Sequence, residues 1–199
     1  MRAFTAMTGM AAPLLADNVD TDTIIPSREM KSTGRTGLAD GLFAPWRYTE
    51  RRTPDPEFVL NRPQFSAAPI LAAGLNFGCG SSREHAVWAL AEYGIRAVIA
   101  ESFAPIFAAN CIRNGLLPVV LPRAAIAVLA GQVVGIDLAA QRVTVGDQSW
   151  RFAIDSEPKA MLLEGLDAID LTLKQLPEID AWTEADRAAR PWVYLEKIA

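Results

Sequence analysis

Residues 70–93 read Ile70-Leu71-Ala72-Ala73-Gly74-Leu75-Asn76-Phe77-Gly78-Cys79-Gly80-Ser81-Ser82-Arg83-Glu84-His85-Ala86-Val87-Trp88-Ala89-Leu90-Ala91-Glu92-Tyr93. The apolar run at 70–75 predicts a buried strand, and the spacing of Val87, Leu90 and Ala91 predicts a helix over 86–93. A strand, a glycine turn and a helix start are where α/β proteins point backbone N–H groups at an anion. This turn carries two adjacent hydroxyls, a guanidinium and the only histidine of the chain. Gly78 and Gly80 strip side chains from the approach to Ser81, leaving amides free to face a ligand. Arg83 adds a permanently charged fork matched to a carboxylate.

The same residues have a structural reading. Ser81 and Glu84 stand in the S-x-x-E spacing of a capping box, which predicts Ser81 at the helix N-cap. Other motif readings fail on spacing. A phosphate-binding Walker loop needs a Gly-Lys-Ser/Thr end, and a dinucleotide loop needs glycine where Arg83 stands. A nucleophile elbow needs glycine at Glu84. His85 follows Ser81 by four residues, but a lone helical histidine is more often a packed residue than a catalytic base.

Outward from this stretch the pattern is α/β. The apolar run at 96–100 completes a βαβ unit, so its two strands are expected to be parallel. A helix over 105–114 ends at Gly115, a strand follows at 116–121 with Pro118 marking an edge or a bulge, and 124–130 is helical. The period then drops to two, with strands at 133–138, 142–145 and 150–154, the last two joined by Gly146-Asp147. Ser156-Glu157-Pro158 opens a helix, and another is expected over 170–181. Trp192 and Tyr194 give the C-terminal tail aromatic anchors for docking on a partner.

Toward the N-terminus, 4–15 alternates weakly around Gly9 and Pro13, as two short strands or one bent strand. Asp20 and Asp22 form an acidic turn before Ile24-Ile25-Pro26, suited to capping and also a candidate for a cation. Residues 31–37, with two glycines and Arg35, read as a mobile loop. A short helix is expected around 38–43. The five prolines at positions 45, 54, 56, 63 and 69 leave little regular structure over 44–69, which Trp46, Tyr48, Phe58 and Phe65 should pack against the domain.

At 199 residues, 51% of them hydrophobic and 21% charged, the chain is expected to form a single domain over 1–199, with a C-terminal helix and tail from about 170. A net charge of −4 argues against nucleic acid as a partner. No apolar run reaches the length of a membrane span, and the N-terminus is a poor signal peptide, so the expected compartment is the cytoplasm. Two cysteines and one histidine are too few for a zinc site or an iron–sulfur cluster within the chain. A metal, if the chemistry needs one, must be held largely by another chain.

The run Asn76-Phe77-Gly78-x-Gly80-Ser81-Ser82-Arg83-Glu84-His85-Ala86 resembles the swivelling domain of the aconitase superfamily. The resemblance continues through Asp20-Thr21-Asp22-x-Ile24-Ile25-Pro26, Ser102-Phe103-Ala104-x-Ile106-Phe107 and Asn114-Gly115-Leu116-Leu117-Pro118-Val119. At this length, and as a free-standing domain, the chain is similar to the small-subunit family of 3-isopropylmalate dehydratases. The resemblance implies a swivelling β/β/α domain, with a central, partly parallel sheet flanked by helices.

It also implies a hydro-lyase that moves a hydroxyl between neighbouring carbons through an alkene, in leucine biosynthesis. The implied partner is a large subunit bearing a [4Fe–4S] cluster; no cofactor is expected in this chain, and the substrate is a small dicarboxylate. By motif match Ser81 is the base, Ser82 and Arg83 bind substrate, and Gly78, Gly80, Glu84 and His85 support the loop. Asp20 and Asp22 lie at the edge of the site. Arg35 falls in the loop where the family places substrate-recognising contacts, a loop that differs among relatives acting on different malates. Two alternatives stay open: a related hydro-lyase acting on homoaconitate, citraconate or dimethylmalate, and a non-catalytic carboxylate-binding module.

Overall fold

A computed structural model describes residues 1–30 and 34–194. Its centre is a seven-stranded sheet in the order β4-β3-β2-β1-β5-β6-β7. The strands are β1 (Ala6–Leu14), β2 (Ile70–Ala73), β3 (Ala97–Ala100), β4 (Leu117–Val120), β5 (Val133–Asp137), β6 (Arg142–Val145) and β7 (Gln148–Arg151). The weakly alternating N-terminal segment is one nine-residue strand serving two neighbours. Residues 11–14 of β1 run parallel to β2, and residues 6–10 run antiparallel to β5. The sheet is therefore parallel from β1 to β4 and antiparallel from β5 to β7.

The parallel strands read as unbroken apolar runs because both their faces are covered. Leu71, Ala73, Val98 and Ala100 enter one core, while Ile70, Ala72, Ala97 and Ile99 enter the other. Pro118 sits in the edge strand β4, where its missing N–H costs no ladder bond. The antiparallel strands start two residues earlier than expected at β7. The two-residue turn at Gly146-Asp147 pairs Val145 with Gln148, which fixes where the return strand begins.

The helices are α1 (Thr21–Ile24), α2 (Ala44–Arg47), α3 (Glu84–Tyr93), α4 (Pro105–Arg113), α5 (Arg123–Leu129), α6 (Ser156–Glu164), α7 (Ala168–Leu173) and α8 (Leu176–Ala189). The first core joins the sheet to α3, α4 and the 38–68 segment, and the second joins it to α5 and α6. The helix expected at 38–43 is a single 3₁₀ turn over Ala39–Gly41. The proline-rich stretch packs on the domain through Phe58 and Phe65, which are buried, and partly through Tyr48, but Trp46, also expected to pack, stays exposed.

The single helix expected over 170–181 is two helices, α7 and α8. A capping box at Asp167 and Asp170 starts α7, and Pro177 in the first turn of α8 requires a fresh N-terminus there. Neither helix has a buried residue. No helix among the described residues is long and apolar enough to cross a membrane.

Candidate active site

The C-terminal ends of β1, β2 and β3 converge, and three connecting segments meet there. This is the side of a parallel sheet where α/β folds bind ligands. The chain leaving β1 bridges the glycine loop, Asp20 pairing with Cys79; the chain leaving β2 bridges the one leaving β3, Phe77 pairing with Phe103. Gly78, Gly80, Ser81, Ser82 and Arg83 line a cavity of about 200 Å³ together with Thr21, Ala104, Pro105, Ile106, Phe107 and Asn110. The loop residues singled out from sequence from Gly78 to Arg83 thus share one cavity wall.

The glycines have two different reasons to be glycine. Gly78 adopts φ +76°, and a Cβ there would fall inside the Phe107 ring. Its amide is not free, contrary to the expectation from sequence, but donates to the Val19 carbonyl at 2.7 Å. Gly80, at φ +89°, has ordinary space around it, so conformation alone demands glycine. Among the described residues the amides of Gly80, Ser81 and Ser82 have no protein acceptor. Three donors at the mouth of a cavity are an electrostatic provision for negative charge.

The capping box does not form. α3 begins at Glu84 behind an extended Arg83 cap, with no side-chain cap bond. The Ser81 carbonyl instead accepts from the Arg83 amide at 2.8 Å and from the Thr21 hydroxyl at 3.0 Å. Released from capping, the Ser81 side chain is free for the cavity. Glu84 is engaged elsewhere: it accepts from Asn114 Nδ2 at 2.8 Å, and Asn114 Oδ1 accepts from Trp88 Nε1 at 3.0 Å. This ties the start of α3 to the end of α4.

The acidic turn is a clasp. Asp20 caps α1, accepting from the Thr23 amide at 2.6 Å. The Thr21 amide donates to the Cys79 carbonyl at 2.9 Å, and Asp22 forms an ion pair with Arg83. Neither carboxylate lines the cavity. Arg83 Nη1 also donates to the Ile25 carbonyl at 3.5 Å, so the guanidinium is held from one side.

His85 does not join Ser81 among the described residues; its ring packs on Trp88 with centroids 4.7 Å apart. The other predicted contact, Arg35, is not brought to the cavity. Its guanidinium lies 5.2 Å from the Trp88 ring centroid, one turn along α3. Of the loop predicted over 31–37, residues 31–33 lie outside the described residues. The segment after it is fastened to α3, where Glu92 accepts from the amides of Gly37, Leu38 and Ala39 at 2.6–2.9 Å. Glu92 was not singled out from sequence, nor were Thr21 and Asn110; Glu92 and Thr21 act on partners far away in the chain, and Asn110 lines the cavity from α4. Only the helical spacing of Asn110 from Ile106 and Phe107 could have placed it on their face.

The chain does not fit an iron–sulfur cluster. Cys111 is fully buried in the core, which pushes its thiol well up, and Cys79 stands alone. Among the described residues no group of three or more His, Cys, Asp or Glu side chains could hold a metal.

Residues 1–124 match the aconitase C-terminal domain family. The chain is 54% identical to the 3-isopropylmalate dehydratase small subunit of Cupriavidus necator, over 98% of this chain and all of that one. It is 50% identical to the protein of the same name from Sinorhizobium fredii, over 96% of this chain and all of that one. The crystal structure of 3-isopropylmalate dehydratase from Methanocaldococcus jannaschii superposes with a TM-score of 0.68 at 30% identity, covering 88% of this chain and 99% of that one. With this fold and this degree of likeness along almost its whole length, the chain belongs to the family of 3-isopropylmalate dehydratase small subunits.

Proposed function

We propose that this chain, joined to a large subunit, interconverts 2-isopropylmalate and 3-isopropylmalate by dehydration and rehydration in leucine biosynthesis. The observation that carries the reading is the convergence of Ser81, Ser82 and Arg83 on one cavity, beside three amides that have no protein acceptor among the described residues. The [4Fe–4S] cluster of this enzyme family belongs to the large subunit and supplies Lewis-acid help to the leaving hydroxyl.

In this reading Ser81 Oγ, as an alkoxide, takes the proton from the carbon next to the one bearing the hydroxyl. It returns a proton when water adds back with the opposite orientation. A free serine is far too weak a base for this, so the negative oxygen must be stabilised by its surroundings. The amides of the glycine loop and the first turn of α3 supply fixed dipoles there, and Arg83 supplies a full positive charge. Ser82 donates a hydrogen bond, and the Arg83 donors not turned to Asp22 take a substrate carboxylate. Asp20 and Asp22 hold the rim, and Glu84 and His85 brace the base of the loop. Arg35, held over Trp88, belongs to a segment that reads the substrate side chain. The whole chain acts as one swivelling unit, with 170–199 as its appendage, and the two unpaired cysteines accord with the cytoplasm as its compartment.

The test is reconstitution with the cognate large subunit and anaerobic cluster loading. Isopropylmalate would then be assayed against homoaconitate, citraconate and dimethylmalate. Preference for isopropylmalate is expected, and Ser81→Ala should lower kcat by about 10²–10⁴-fold while assembly persists. A clear preference for another substrate would sink the leucine-pathway reading, and full activity of Ser81→Ala would sink the role of Ser81.

A further inference from the structure

Beside the glycine loop, the cavity is lined by the first half of α4 and the residue that caps it. Ala104, Pro105, Ile106 and Phe107 contribute only apolar side chains to this lining. The exception is Asn110, one helical turn further on and on the same face as Ile106 and Phe107. Asn110 is 6% exposed. Its carbonyl accepts from Asn114, but among the described residues its carboxamide has no hydrogen-bond partner. A carboxamide offers two donors and an acceptor, and burying it unpaired is costly. Yet among the described residues no sealed side-chain nitrogen or oxygen lacks a partner. The Asn110 carboxamide is therefore not sealed in, and the opening it has is the cavity it lines.

We infer that Asn110 is a substrate-contacting residue, its Nδ2 donating to a carboxylate oxygen of the dicarboxylate that Arg83 grips in the same cavity. The inference rests on the dehydratase reading for the identity of the ligand. The chemistry favours a carboxylate over a hydroxyl or an alkyl group. A dicarboxylate presents about four lone-pair sites per carboxylate, more than one guanidinium can satisfy. The α4 wall has no other side-chain donor to offer. The first-turn amides of Ile106 and Phe107 have no acceptor within their helix, so the same wall is electropositive at its backbone. Placing a neutral amide there, instead of a second arginine, grips the carboxylate without adding a cation beside the base.

The experiment uses the reconstituted heteromer carrying Asn110→Ala or Asn110→Asp. Steady-state kinetics with 2-isopropylmalate are paired with isothermal titration of isopropylsuccinate, a dicarboxylate with no hydroxyl to lose. Losing a hydrogen bond to a charged group should raise KM and Kd roughly tenfold to a hundredfold in Asn110→Ala. Because the contact exists before the transition state, kcat should move far less. Asn110→Asp, nearly isosteric, places a like charge against the carboxylate and should weaken binding further. If the alanine variant fails to assemble, the aspartate variant alone decides between the two outcomes. Unchanged Kd for isopropylsuccinate in the assembled variants overturns the inference. A wild-type heteromer that binds isopropylsuccinate but prefers another malate overturns only the substrate reading.

Discussion

Arg83 and Asp22 form an ion pair across the rim of the cavity, 61 residues apart in sequence, and it joins the first helix of the chain to the glycine loop. Asp22 is more than half exposed, and such a pair contributes at most about 1 kcal/mol to stability. Its consequence is geometric. A flexible guanidinium loses rotamer freedom each time it binds a carboxylate, and Asp22 removes part of that loss in advance. Asp22→Asn should therefore shift the melting temperature by less than about 4 °C. It should still lower kcat/KM by about three- to tenfold, mainly through KM. Arg83→Lys, which loses the planar fork, should cost about ten- to a hundredfold in KM. Steady-state kinetics on the heteromer, beside thermal melts of the small subunit, check both.

Gly78 gives a test of the fold beneath the site. Its positive φ and the Phe107 ring both exclude a side chain. Gly78→Ala should destabilise the chain by about 3 kcal/mol, combining backbone strain with overpacking. Gly94, at φ +111° with open space around it, carries the strain alone, so Gly94→Ala should cost only about 1 kcal/mol. Urea unfolding of the two variants measures the difference. Equal losses would mean that the ring of Phe107 yields without cost.

The βαβ centre was legible because burial on both faces of β2 and β3 leaves an unbroken apolar signal in the sequence. The glycine loop was legible because its residue types have few joint explanations. Local spacing misled where a distant partner displaced a near one. Ser81 and Glu84 have the separation of a capping box, yet Thr21 claims the Ser81 carbonyl and Asn114 claims the Glu84 carboxylate. Gly78 had the right type for an open amide, but Val19, across the bridged loop, takes its N–H. Asn110 was invisible for a related reason: its importance lies in a carboxamide left unpaired among the described residues, which only the packed structure reveals. The break between α7 and α8 is readable from Pro177, but the apolar period alone runs across it.

The two cysteines should separate cleanly by reactivity. Cys111 is fully buried, and burial pushes its thiol well up, so the reactive thiolate is suppressed twice over. Cys79 is partly exposed beside the cavity loop. Alkylation of the native chain with iodoacetamide, followed by peptide mapping, should modify Cys79 and spare Cys111 until denaturant is added. Equal labelling rates in the native state would contradict the packing of α4.

Glu92 is the anchor for the segment that carries Arg35. Burial alone would raise its carboxyl pKa, but the amides of Gly37, Leu38 and Ala39 donate to the charged form and bring it below the ordinary 4.5. A carboxyl that titrates lower when folded than when unfolded contributes stability above its unfolded pKa. That contribution fades as the pH falls through the folded value. The clamp should therefore be intact at neutral pH and released only in acid below about pH 4.5. Glu92→Gln keeps one acceptor oxygen where the carboxylate had two, and Glu92→Ala keeps none. Hydrogen exchange at Gly37, Leu38 and Ala39 should accelerate in the order wild type, Gln, Ala at neutral pH. If the loop serves substrate binding as proposed, KM for isopropylmalate in the heteromer should rise about threefold to tenfold in the alanine variant, with kcat nearly unchanged. Unaltered exchange in Glu92→Ala would show that the packing of Leu38, already fully buried, holds the segment without the carboxylate.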